Sequence, residues 1–132
     1  NRRRWRDIDA LAPVLSAAAV QRMAEVATGV HVADALLRYV TAISSATRNL
    51  PGVRLGISPR GGQALVRVAR ARAASQGRPY VSPEDIKDLV EPVLAHRLML
   101  NPEAELAGHT SKSVLAQVLD RLPAPTQRTP GT

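Results

Sequence analysis

The sequence predicts an all-α fold, a small bundle of four to five helices. Three observations carry that reading. Apolar residues recur at spacings of three and four through most of the chain, no segment alternates with a period of two between hairpin turns, and Ser-Pro start signals stand at Ser58 and Ser82. With 132 residues and 45% hydrophobic content, the chain is one domain able to build its own core without a metal or disulfide staple.

The first helix is expected from Ser16 as N-cap to about Thr28, with Ala19, Met23, Val26 and Val30 near one face and Gly29 loosening its end. A second runs from about Val32 to Arg48, where Leu36, Val40 and Ile43, widened by Leu37, form a buried stripe. Pro51, Gly52 and Gly56 break the pattern in NLPGVRLGI, a loop long for a helical bundle. The third helix has Ser58 as cap and Pro59 at its first position, Ala64, Leu65, Val68 and Ala69 define a face, and it ends near Gln76 before Gly77. Ser82 caps the fourth, with Glu84 and Asp85 in its first turn and Ile86, Leu89, Val90 and Val93 as its apolar stripe, ending near His96. After the Asn101-Pro102 break, a last helix from about Ser111 turns Val114, Leu115, Val118, Leu119 and Leu122 inward.

Composition excludes several function classes. There are no cysteines, hence no disulfide, thiolate zinc site or thiol nucleophile, and a reducing compartment is permitted. No stretch approaches the length of a membrane span and no secretory signal opens the chain, so a soluble, cytoplasmic protein is expected. The chain begins at Asn1 and not Met, and is read as a piece of something longer.

The net charge of +7 is almost wholly arginine, since Lys87 and Lys112 are the two lysines, and it points to an acidic partner such as a nucleotide, a nucleic acid or an acidic surface. A coding bias toward Ala and Arg would give the same excess. Trp5, Tyr39 and Tyr80 are the whole aromatic set, too few for a platform that stacks single-stranded nucleic acid.

Among motifs with chemistry, His31, His96 and His109 stand at no metal-ligand spacing, so no metal site is expected. Glu84, Asp85, Asp88 and Glu91 read as a helix-start acidic cluster, and no GxSxG elbow supports a serine triad. GISPRGGQ (56–63) has P-loop-like glycines but lacks the Lys and Ser/Thr of a Walker A. In the same octapeptide Arg60 falls in the first turn of the third helix, where free N–H groups and the positive dipole end favour an anion. The alternative is a solvated first-turn arginine.

Three separated runs then matter together: VHVADALLRYV (30–40), ATRNLPGVRLGISPRG (46–61) and GRPYVSPEDIKDLVEPVLAHRL (77–98). In this order, and with the SPRG turn, the chain resembles the C-terminal helical lid domain of MoxR-type AAA+ ATPases, over roughly residues 15–106. The resemblance implies an AAA+ lid-type helical bundle at 15–122, a linker from an absent α/β ATPase core at 1–14 and a flexible tail at 123–132. It implies that Arg60 matches the sensor 2 arginine, which reaches the terminal phosphate of ATP, and that Ser58 positions it. Gly61 would allow close backbone approach to the nucleotide, and Val30 to Val32 would border the adenine ring.

The resemblance further implies ATP and Mg2+ as cofactors of the full-length protein, with none bound by this piece alone. It implies partnership with the chain's own AAA+ core and with neighbouring subunits of a ring, von Willebrand factor A domain proteins as further partners, and chaperone-like remodelling driven by ATP hydrolysis. This piece alone would not be an enzyme. Two other readings stay open on the residues: a basic helix-turn-helix module binding DNA through Arg67, Arg70 and Arg72, and a protein-interaction bundle with no nucleotide role.

Overall fold

The computed structural model describes residues 11–126. Residues 1–10 of the expected linker and 127–132 of the expected tail lie outside the described residues. Five long helices form where apolar periodicity and caps coincide. These are α1 (Ala17–Thr28), α2 (Asp34–Arg48), α3 (Pro59–Ser75), α4 (Pro83–Leu94) and, after a short α5 (Pro102–Leu106), α6 (Ser111–Arg121).

Side-chain caps set most of the starts. Ser16 Oγ accepts from the Ala19 N–H, Ser58 Oγ from Gly61 and Ser82 Oγ from Asp85, whose carboxylate accepts the Ser82 N–H in return. Thr110 and Ser113 make the same reciprocal pair at α6, which starts at Ser111 as expected. Asn101-Pro102, expected as a break, is a start: Asn101 Oδ1 accepts from Ala104 and opens α5.

α3 is the central element. It packs on α4, α1 and α2, while α6 closes the bundle against α2 and α4. Ile43, Ile57, Leu65, Ile86, Leu94 and Leu115 are the largest fully enclosed apolar side chains, and they lie where these helices meet.

Two features depart from the helical expectation. A third of the NLPGVRLGI loop is a strand, β1 (Val53–Leu55), paired antiparallel with β2 (Met99–Leu100) in a two-stranded ribbon. Its turn is set by Gly52 at φ +86°, a left-handed conformation natural to glycine, with the Asn101 N–H donating to Gly52 O. Second, α1 follows the expected boundaries, but its apolar face is not in the core. Met23 is 56% and Val26 66% exposed, and no α1 residue is fully buried. Periodicity shows that a helix has an apolar face, not that the same chain covers it.

Candidate functional site

The first turn of α3 is built from both sides. Ser58 holds extended backbone angles as N-cap, and Pro59 follows at the first helical position, where its missing N–H is no loss. Gly61 and Gly62 donate to Ser58 O, which leaves the Arg60 N–H without an acceptor among the described residues.

The Arg60 side chain is exposed, and among the described residues no carboxylate lies within 4.0 Å of its guanidinium. α3 carries no acidic residue at all. A free guanidinium, a free amide and the positive end of a 17-residue helix therefore share one corner.

The backbone leading into that corner is clamped to α2. Thr47, wholly buried, accepts the Ile57 N–H at 2.9 Å, and Arg48 Nη1 donates to Ile57 O at 3.0 Å. Gly56 presses on the end of α2 so closely that a Cβ there would stand 2.8 Å from the Arg48 backbone. Arg48 is thus a positioning residue for the SPRG turn.

Gly61 and Gly62 lie against the bundle. Both are buried, and a Cβ on Gly61 would lie 2.7 Å from Ile57 Cγ2. Their missing side chains let α3 start against the bundle's own core, and the Gly61 N–H is already taken by Ser58. Gly61 therefore serves packing, with no face turned to a ligand.

Val30 and Val32 are not brought to Arg60. The turn that carries them is tied to the far end of α3, where the His31 N–H donates to Pro79 O and the Val81 N–H to His31 O. α3 separates the two places by about 25 Å at 1.5 Å per residue. Both valine side chains are core, at 5% and 7% exposure, and the surface of that turn is His31 and Tyr80.

One arginine escaped sequence reasoning. The stem of Arg97, the last residue of the 3-10 turn Ala95–Arg97, packs beside Gly61, its Cδ 3.6 Å from where a Cβ would be. This brings a second guanidinium side chain to the first turn of α3. Nothing local in AHRL marks it, because 36 residues separate it from Gly61 and only the fold brings them together.

A second cluster of charge, around Asp85, is structural. Asp85 is nearly buried and receives both terminal nitrogens of Arg78 at 2.7 Å. Burial pushes its carboxyl upward, but the hydrogen bonds from Arg78 and Ser82, with the Arg78 charge, outweigh that and hold it below the usual carboxylate range. Arg72 is bound by Asp85 and Asp88, whereas Arg67 and Arg70 face α2, so the three arginines do not form one recognition face for DNA. Among the described residues no cluster of three His, Asp or Glu could hold a metal ion, and no helix is long and apolar enough to cross a membrane.

Residues 45–118 match the AAA lid domain family. The chain is 43% identical over 95 residues to protein MoxR of Paracoccus denitrificans, covering 62% of this chain and 28% of that protein. It is 31% identical over 121 residues to the chaperone MoxR1 of Mycobacterium tuberculosis, covering 85% of this chain and 32% of that one. A crystal structure of a protein from Cytophaga hutchinsonii, described as a candidate ATPase, superposes with a TM-score of 0.71 at 29% identity, over 77% of this chain and 34% of that one. The chain thus spans about a third of the length of the proteins it matches. With a helical fold of the lid kind and these relatives, the chain belongs to the AAA lid domain family, as a lid of the MoxR type.

Proposed function

We propose that this lid supplies Arg60 as the sensor 2 arginine to an ATP site whose other wall is an AAA+ α/β core. The observation that carries the reading is the state of the first turn of α3: an exposed, unpaired guanidinium and an unpaired amide at a helix start whose approach is fixed by Thr47 and Arg48. Arg60 would donate two parallel hydrogen bonds to oxygens of the terminal phosphate and stabilise the charge that grows there as the phosphoryl group transfers. Ser58 holds the turn and Gly61 seats it on Ile57. Arg97 would add a second positive charge at the same corner.

Magnesium finds no ligand set among the described residues and would be held by the core, with the phosphates. The domain arrangement follows: a lid at 15–122 entered by a linker, with 123–132 as a tail. The uncovered apolar face of α1, next to the linker, is the surface this reading gives to the core. Ring neighbours, von Willebrand factor A domain partners and a cytoplasmic setting belong to the same reading, as does chaperone-like remodelling, which the name of the mycobacterial relative supports.

Isothermal calorimetry tests whether the site is shared. The chain alone offers one wall of a cleft and is expected to bind ATP only very weakly, with strong binding restored when the core is joined to it. Micromolar affinity of the chain alone would contradict the shared site.

A further inference from the structure

We propose that the groove between α2 and α3 binds an acidic amphipathic helix of a partner protein. The groove has a volume of about 490 Å³. Leu37, Val40 and Arg48 line it from α2, and Val66, Arg67 and Arg70 from α3. On each helix the lining residues recur at three and four over 12 residues, so the groove runs along both axes for about 16 Å, three helical turns.

Its floor is apolar beyond the aliphatic side chains. The Thr41 and Ser44 hydroxyls on that wall donate back to Leu37 O and Val40 O, and Gly62 contributes no side chain. Leu37 is 40% exposed there.

Charge selects the occupant. None of the lining residues is acidic, three are arginines, and among the described residues no carboxylate lies within 4.0 Å of any of the three. Arg48 uses one nitrogen on Ile57 O, while Arg70 Nε is shut off from solvent with no acceptor among the described residues. An apolar strip flanked by unpaired arginines fits a helix with leucine-type residues on one face and carboxylates beside them. A nucleic-acid backbone would leave the apolar floor uncovered, and no aromatic residue lines the groove to stack a base. The proposal does not depend on the ATP reading, since no nucleotide takes part.

The test is fluorescence anisotropy with the whole chain and a labelled peptide of about 11 residues, three turns, with leucines on one face and glutamates flanking them. Matched probes replace glutamate by lysine or leucine by serine, and a short DNA duplex serves as the competing class. The acidic leucine peptide should bind, and Arg67→Glu, at an exposed position, should weaken it by about tenfold or more with an unchanged helical spectrum. Arg121→Glu, the same charge change on α6, should leave binding intact. The idea is overturned by no binding of the acidic peptide, by equal binding of the lysine or serine probe, by binding indifferent to Arg67→Glu, or by duplex DNA displacing the peptide from the groove.

Discussion

The backbone N–H of Ile57 donates to Thr47 Oγ1 at 2.9 Å, inside the core and across ten residues of chain. Together with the Arg48 guanidinium on Ile57 O, this satisfies both polar groups of the residue just ahead of the Ser58 cap. The start of α3, and with it Arg60, is therefore referenced to α2 and not left to a loop. Thr47→Val keeps the shape but leaves a buried N–H unpaired, and should destabilise the chain by about 1–3 kcal/mol. Urea denaturation checks this, the midpoint falling with an unchanged slope.

Gly61→Ala should be harmful although alanine favours helices. The added Cβ would stand 2.7 Å from Ile57 Cγ2, and the expected loss is about 1–3 kcal/mol from overpacking. Gly56→Ala should cost more, because its Cβ meets the Arg48 backbone, which cannot rotate away. Thermal melts of the two variants should rank them in that order. Equal stability of wild type and Gly61→Ala would remove the packing role assigned to this glycine.

Acid sensitivity should centre on Asp85. Its carboxyl is held below the ordinary value, which for aspartate is about 3.9, so the unfolded chain takes up the proton first as pH falls. The stabilisation is complete above that value and is lost as pH falls through the lower folded-state value. Asp85→Asn removes the charge paired with Arg78 and should be less stable by about 1.5–3 kcal/mol near neutral pH, with a smaller difference from wild type in acid. Denaturation midpoints across an acid pH series measure the convergence.

Helix starts were legible because they rest on local chemistry. Ser16, Ser58 and Ser82 each cap the helix their position foretells, and Leu36, Val40 and Ile43 face inward as their spacing requires. The β1–β2 ribbon was not legible, since strands of three and two residues show no alternation and pair only because the chain returns at Met99. α5 was hidden in a segment of five residues, too short to show a period. At the candidate site, Arg60 and Ser58 could be read from SPRG, whereas the clamp from Thr47 and Arg48 and the approach of Arg97 are tertiary. The burial of Gly61, Val30 and Val32 is tertiary too, as a sequence does not say which side of a turn faces the core.

The α1 surface separates stability from docking. Met23→Ser and Val26→Ser alter exposed side chains and should change the stability of this chain by no more than about 0.5 kcal/mol. Leu65→Ala, in the enclosed core, should cost about 2–5 kcal/mol. Chemical denaturation compares them. A large loss at Met23 would mean that α1 packs on its own bundle more than the structure records.

The most direct test of the account is steady-state ATP turnover by this lid joined to its AAA+ core, comparing Arg60→Ala with wild type. Removing a donor that acts on the transferring phosphoryl group should lower kcat about a hundredfold or more, while the circular dichroism of the lid stays unchanged, since Arg60 makes no contact the fold needs. Turnover retained at the wild-type rate would contradict the account and leave Arg60 a solvated arginine at the start of a helix.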